Sequence, residues 1–436
     1  MGSAILTEPA DRGAMRGATS CRHCGSPLDV SLVDLGKSPL CQTVLTEQGL
    51  SEPEVFYPLH ARVCTRCWLV QIPEFVPPDD IFSEYAYFSA YSDSWVEHAR
   101  QYADMIVARL SLTSDDLVVE LASNDGYLLQ HFLPHGVPVL GIDPAKNVAE
   151  AAVARGVPTL VEFFGLDLAR RLVDEGRRPR LVLGNNVLAQ VPDLNDFVAG
   201  VKELLAEGGT ATFEFPHLAT LVEHLEYDTI YHEHFSYFSL FSIREIFGSQ
   251  GLAVVDVEEI PTHGGSLRVY FAHAEEGRDV GPAVAAVIDR EDAAGLRDVR
   301  TYRDFTEGVE MSKRVLLELL IGARAAGRQV AGYGAPGKGN TLLNYCGIRS
   351  DLLPYTVDRN PYKQGKFTPG TQIPIHPPEA IAETRPDLIL ILPWNLAPEI
   401  SSQLAYTSEW GAELVVPIPR AEVFAPGTVP RQGPSA

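Results

Sequence analysis

Apolar positions along the chain fall into short strand-like runs that alternate with helical spacing. The first such series begins near residue 115. DLVVELASNDGYLLQHFL opens on a β-branched strand, crosses a turn of small residues (ASNDG) and enters a helix. A second strand, LGID, ends at Asp143. RLVLGNN then gives a strand running into a polar turn, and a GG turn leads into the strand TATFEFP. The series resumes after a long helical segment near residues 283–327. GRQVAGYGAPGKGNTLLNY repeats strand, glycine turn and helix; LLPYTVD ends in an acid, and PDLILILPWN reads as a buried strand. Strands that alternate with helices predict parallel α/β sheets, here two of them.

The length of 436 residues exceeds what one core sustains, which fits two or three domains. With 57 acidic against 35 basic side chains the formal charge is -22, the opposite of the footprint of a nucleic-acid binder or of a protein held on an anionic membrane. A phosphate-bearing ligand must therefore be caught by a local site. The longest apolar runs, LVVELA and DLILILPW, are far shorter than a spanning helix, and MGSAILTEPADRG lacks the basic start and apolar core of a signal peptide. The expected location is cytoplasmic, with no membrane and no nucleic acid as partner, and the expected state a monomer or weak homodimer.

Chemistry enters first through cysteine. CRHC (Cys21, Cys24) and CTRC (Cys64, Cys67) are separated by 39 residues, and two such knuckles close a tetrahedral zinc site. Four thiolates leave no open coordination position, so the zinc is read as structural. Cys41 and Cys346 are expected to be ordinary buried thiols, and His23 a surface residue of its knuckle. The aromatics of EYAYFSAYSDSW, at 84–95, include Phe88, Tyr91 and Trp95 at helical spacing, which favours core packing over a lid.

In the central series the strand carrying Glu120 leads into a turn with Ala122, Asn124 and Gly126, and the next strand ends at Asp143 beside Pro144. This arrangement presents a nucleoside at the carboxyl ends of parallel strands, with the acid accepting ribose hydroxyls. Ala122 and Asn124 replace the glycines of nicotinamide enzymes. That favours S-adenosylmethionine, which has no pyrophosphate to seat against the turn. Asn185 and Asn186 close a later strand at the same edge.

The densest proton-handling stretch is YDTIYHEHFSYFSL, residues 227–240. If extended, it puts Tyr231 and Glu233 on one face and His232 and His234 on the other. A histidine with a nearby carboxylate suits a general base, and a tyrosine suits an oxygen that gains charge. HxH alone gives a metal only two ligands. PTHGGSLRVYF follows with His263 and Arg268, a cation able to hold a substrate oxygen or phosphate. In the C-terminal series Gly334 and Lys338 stand in a glycine turn suited to phosphate, although the Walker spacing is absent. Asp358 ends a strand with Lys363 and Lys366 after it, and Asn395 ends the last buried strand; together these suggest a nucleoside diphosphate.

These pieces in this order, CRHC and CTRC, YAYFSAYSDSW, ELASNDG, NNVLAQVPDLNDF, YHEHFSYFSL, HGGSLR, GYGAPGKGNTLLNY, DRNPYKQG and LPWN, resemble the nucleotide-sugar C-methyltransferases of antibiotic deoxysugar biosynthesis over nearly the whole chain. The resemblance implies an α/β chain of three parts: a zinc-binding domain at 1–80, a class I, Rossmann-like S-adenosylmethionine domain at 81–282, and a Rossmann-like domain for the thymidine diphosphate sugar at 283–420. A Pro- and Gly-rich tail at 421–436 is expected to be disordered. The same resemblance makes His234 the base, with Tyr231, Glu233 and Tyr87 beside it. It places the sugar nucleotide against Gln190, His263, Arg268, Gly334, Lys338, Asn340, Asp358, Lys366 and Asn395. Gln190 departs from the pattern, since the family often has histidine there, which bears on proton transfer and on the choice of sugar. The expected reaction is methylation of a TDP-4-keto-deoxysugar at C3 through an enolate held by tyrosine hydroxyls. Methylation at C5, oxygen or nitrogen, or a non-catalytic zinc-containing nucleotide-binding scaffold, are the competing readings; a nicotinamide oxidoreductase is weaker, for want of GxGxxG.

Overall fold

The computed structural model describes residues 19–82, 89–91 and 93–430. The chain begins with two zinc-knuckle turns flanking an antiparallel pair, β1 (Val30–Ser38) and β2 (Tyr57–Val63), which the short β3 (Val70–Gln71) extends. The central sheet follows with β4 (Val118–Leu121), β5 (Val139–Ile142), β6 (Thr159–Leu160), β7 (Leu181–Asn185) and β8 (Thr210–Pro216), all parallel. β4 and β5 are buried at every position, as the unbroken apolar runs require of strands covered on both faces. After β8 the chain makes β9 (Ser236–Tyr237), which leaves the central sheet and pairs with β3: Val70 faces Tyr237 and Gln71 faces Ser236. The stretch 227–240 is thus stitched into the N-terminal sheet.

β10 (Leu252–Ile260) and β11 (Ser266–His273) return antiparallel and complete the order β10-β11-β8-β7-β4-β5-β6. The expected boundary at 282/283 does not hold. The helix Pro282–Ala293 buries Val284 and Val287 in the core of the central domain. Its Glu291 accepts from the backbone amides of Leu240 (2.5 Å) and Phe241 (3.0 Å) and bonds His217 at 2.8 Å.

The next helix, Val299–Ala325, is 27 residues long and starts on Asp298, whose carboxylate accepts from the Arg300 amide. It buries Tyr302, Phe305, Val309, Leu316 and Leu320 in one cluster with Leu32, Val33 and Leu59 of the N-terminal sheet and with the C-terminal strands. Those are β12 (Val330–Tyr333), β13 (Thr356–Val357), β14 (Ile375–His376), β15 (Leu388–Ile391), β16 (Glu413–Val416) and β17 (Glu422–Phe424), ordered β14-β13-β12-β15-β16-β17. The chain therefore does not become disordered at 421: β17 pairs antiparallel with β16, and the Gly427 amide donates to Ser401. Residues 431–436 lie outside the described part.

In each doubly wound sheet the order of the parallel strands reverses, between β4 and β7 and between β12 and β15, and ligands bind outside the strand ends at such a point. No helix among the described residues is long and apolar enough to cross a membrane.

Candidate active site

A cavity of about 470 Å³ opens at the carboxyl ends of β4, β5 and β7 and extends to the turn after β12. Its wall carries four non-glycine residues in the left-handed region: Ala122 (φ 58°), Asn124 (49°), Asn186 (58°) and His263 (58°). Each is a costly conformation for a side chain with a Cβ, most of all for Ala122, which has no polar group to compensate. Asp143 holds the turn by accepting from the Asn124 amide at 2.8 Å and the Ala145 amide at 2.9 Å, and burial raises its pKa. The Asn185 Nδ2 and Asn186 Oδ1 atoms are buried without a partner among the described residues. Unpaired polar atoms cost free energy unless a ligand completes them. With Pro144, Phe163 and Phe164 on the same wall, these groups fit a nucleoside carrying a polar tail.

At the other end stand Tyr231 and His234. The expected extended backbone is replaced by a turn in which the His234 amide donates to the Tyr231 carbonyl at 2.9 Å. That i, i+3 geometry puts the Tyr231 hydroxyl 3.1 Å from His234 Nε2. Burial, followed by the charges of His263 and Lys338, brings His234 down to about 3, so the ring is a neutral imidazole. Glu233 is turned away and does not line the cavity; its carboxyl accepts from the Cys41 thiol at 3.2 Å. His232 likewise faces the Pro58 carbonyl and the Tyr57 ring. Two backbone bonds fix the loop: the Phe235 amide to Ala189 at 2.6 Å and the Ile72 amide to Phe235 at 3.0 Å.

His263 bonds Asn186 Nδ2 at 3.0 Å and meets the Trp95 ring edge-on, and burial, with the charge of Lys338, lowers it to about 4. Lys338 donates to Asn395 at 2.9 Å across the switch point between β12 and β15, and Asn395 does not itself line the cavity. Gln190 lines the cavity.

Several expected residues lie elsewhere. Glu120 is buried below the turn, with neither carboxyl oxygen partnered, and burial raises its pKa well above the ordinary value. Gly126 serves packing: a Cβ there would meet Val157 at 3.1 Å and Ala152 at 3.2 Å, and its φ is 75°. Gly334 and Asp358 build their own turn, in which Asp358 accepts from the Ala335 amide at 2.8 Å. Asn340 donates to the Cys41 carbonyl at 2.7 Å, and Lys366 covers the Tyr362 ring. Tyr87 lies outside the described residues.

Arg268 is the clearest correction. It is buried between Glu214 (3.1 Å) and Glu258 (2.8 Å), over the Tyr102 ring, with His98 also bonding Glu214 at 2.9 Å. Its charge is spent inside the sheet. Arg268→Met is expected to cost roughly 3–5 kcal/mol of stability by denaturant unfolding, because it leaves buried carboxylate uncompensated. A stable variant with weakened sugar binding would return Arg268 to the substrate site.

Sequence spacing missed Gln42, Ser89, Trp95 and Tyr127, all on the cavity wall. Trp95 packs against a buried cluster, as its spacing suggests, stacking on His98 and Tyr127, and it also lines the cavity. Gln42 arrives from the β1–β2 loop, a tertiary contact no local pattern announces.

The four sulfurs of Cys21, Cys24, Cys64 and Cys67 all lie within 4.8 Å of one another, with Cys21–Cys67 and Cys24–Cys64 each at 3.5 Å. Zinc–sulfur bonds of roughly 2.3 Å in a tetrahedron demand about this spacing, so the donors fit. Gln71 Nε2 donates to Cys21 Sγ at 3.2 Å, an outer support of the kind such sites use. His23 is not a plain surface residue. Its ring and carbonyl both bond the Asn195 side chain at 2.9 Å, docking the knuckle on the central domain.

Models of three families match the chain in sequence: a zinc binding domain at residues 21–82, a methyltransferase domain at 95–257 and a C-methyltransferase C-terminal domain at 261–419. The chain is 39% identical over 411 residues to C-methyltransferase NovU of Streptomyces niveus, a match that covers 94% of this chain and 98% of that one. Solved structures that match part of the chain include magnesium protoporphyrin IX methyltransferase ChlM from Synechocystis PCC 6803 with bound SAM, at 17% identity, 42% of this chain, 82% of that chain and a TM-score of 0.31. Another is the glycopeptide N-methyltransferase MtfA complexed with (S)-adenosyl-L-methionine, at 15% identity, 44% of this chain, 96% of that chain and a TM-score of 0.33.

Proposed function

The chain belongs to the S-adenosylmethionine-dependent C-methyltransferases that carry a zinc-binding N-terminal domain, and from that premise we propose that it methylates a thymidine diphosphate 4-keto-deoxysugar at C3 through an enolate. One observation carries the reading: a buried, neutral imidazole, His234, shares a cavity with the strained nucleoside turn and with the cationic Lys338 of the second doubly wound sheet. Methylating carbon at neutral pH requires a carbon nucleophile, and a C–H beside a carbonyl is the weakly acidic bond that yields one. S-adenosylmethionine supplies an electrophilic methyl group on a sulfonium. His234 takes the C3 proton, the electron pair moves onto the C4 oxygen as the enolate forms, and C3 then bonds the methyl while the sulfonium becomes a neutral thioether. The proton leaves His234 for solvent. The second sheet supports a second nucleotide-bearing ligand, because its switch point opens on the same cavity.

The test is mass spectrometry of the purified enzyme with S-adenosylmethionine and a panel of TDP-4-keto-deoxysugars in deuterated water, with the methyl then located by NMR. The expected result is one methyl at C3 and deuterium in unreacted ketosugar. A methyl at C5 keeps the enolate and moves its site. A methyl on oxygen or nitrogen overturns the reading.

A further inference from the structure

Lys338 is half-buried on the cavity wall, and its hydrogen bonding is incomplete. Its ammonium donates to Asn395 Oδ1 at 2.9 Å and sits 4.6 Å from the centre of the Trp394 ring. An ammonium has three N–H donors, and among the described residues only Asn395 accepts one. The nearest counter-charge acts indirectly: Asp228 is buried and accepts from Trp394 Nε1 at 2.8 Å, so the indole stands as a neutral partner to both charges. Burial raises Asp228 to about 7 and lowers Lys338 from its ordinary value, and the charge of each is the first to oppose the shift of the other.

The lysine occupies the second position of the helix Gly337–Cys346, which begins on Pro336 with no side-chain cap. Gly337 and Lys338 line the cavity together with Tyr231 and His234. Unsatisfied amides at a helix start and an under-coordinated ammonium beside them make one electropositive corner opposite the base. The Tyr231 hydroxyl, by contrast, is engaged with His234 Nε2 at 3.1 Å. A diphosphate anchor would offer several donors at an accessible rim. Here one half-buried cation meets the cavity where the sugar ring must lie if His234 is to reach it.

We propose that Lys338 Nζ, backed by the amino end of its helix, binds the C4 oxygen of the sugar and carries the charge of the enolate that the tyrosine hydroxyls were expected to hold. The inference rests on the enolate reading above. In the reacting complex the oxygen takes a free N–H of the ammonium, and no proton need cross, since the charge is balanced by the lysine already present. Trp394, which is buried, covers one side of the corner, and the apolar ring lowers the dielectric in which the attraction acts.

The experiment measures deuterium uptake at C3 of the ketosugar in deuterated water with S-adenosylhomocysteine replacing the methyl donor. It is paired with methyl transfer and with calorimetric binding of thymidine diphosphate alone, on wild type, Lys338→Met and Lys338→Ala. Exchange and methyl transfer are both expected to fall about 100- to 1000-fold in either variant, as for loss of an oxyanion donor, with thymidine diphosphate affinity within about threefold. Ethylammonium added to Lys338→Ala, whose cavity it can enter, is expected to restore exchange by about tenfold or more, which a folding defect would not permit. Exchange that survives in Lys338→Met, or a loss of affinity for thymidine diphosphate with the saturated rate kept, overturns the assignment and makes the lysine a phosphate anchor. Wild-type enzyme that methylates oxygen or nitrogen without exchange defeats the enolate reading itself, and the role of Lys338 with it.

Discussion

Cys67→Ser is expected to empty the zinc site and to abolish methyl transfer, although Cys67 does not line the cavity. The path between them is short. Three residues after Cys67 the chain enters β3, whose Val70 and Gln71 pair with Tyr237 and Ser236, and the Ile72 amide holds the Phe235 carbonyl at 3.0 Å. Phe235 directly follows His234. Cys21, Cys64 and Cys67 also pack in the same buried cluster as Leu188 and Phe238, which flank that loop in space. Apparent zinc binding in small Cys-rich units is worth about 10–16 kcal/mol, comparable with the whole stability of a domain, so a site reduced to three thiolates leaves the N-terminal sheet without its main support. Metal content by plasma mass spectrometry should fall from near one zinc per chain, as one four-cysteine cluster implies. Thermal unfolding should move down, and methyl transfer should drop by more than about 100-fold, since a displaced catalytic group forfeits its positioning. Cys346→Ser, at a buried thiol remote from the cluster, should retain its zinc. If Cys67→Ser lost the metal yet kept its melting temperature and its rate, the zinc site would have no part in holding the loop.

The features legible in the sequence were those with a local cause. The two CxxC knuckles, the strand–turn–helix units at ELASNDG and GYGAPGKGN, and the acid at Asp143 each follow from spacing and residue type, and the structure brings them to the expected strand ends. Residues whose role depends on a turn were harder to read. Tyr231 and His234 share a face because the backbone turns between them; that same turn sends Glu233 to Cys41, whereas an extended strand would have grouped them by alternation. Arg268 beside two glycines looked like a ligand for an anion, but its partners Glu214 and Glu258 come from neighbouring strands 54 and 10 residues away. Gln42 reaches the cavity through packing between domains, for which a single sequence carries no period. The boundary at 282 failed for a similar reason: Glu291 caps amides near Leu240, a contact across the fold.

His234→Asn is expected to lower kcat by roughly two to four orders of magnitude, the usual worth of a positioned base. Asparagine keeps a polar group beside the Tyr231 hydroxyl, so affinity for S-adenosylmethionine should stay near the wild-type value. Deuterium exchange at C3 should fall in parallel with methyl transfer, because both need the same proton removed. The pH behaviour supplies a second reading. Burial, then the positive fields of His263 and Lys338, hold the ring at about 3 in the folded chain, against about 6.5 for a free histidine. The wild-type kcat/KM profile should therefore show no loss of base at 6.5, since the neutral form persists until the pH approaches 3. A ring so acidic is a weak base in the empty cavity; the enolate's negative charge, arriving beside it, opposes those fields and favours the imidazolium as the proton moves. The same lowered pKa affects stability. An unfolded chain protonates this histidine below about 6.5 while the folded chain does not, so its stabilising contribution is complete above 6.5 and is lost as pH falls from there toward 3. His234→Asn should thus unfold with a smaller drop in melting temperature between neutral pH and pH 5 than the wild type does. Full kcat in the variant would remove His234 as the base; reduced kcat with an unchanged acid sensitivity of the fold would mean that the ring is not the buried neutral group on which this mechanism depends.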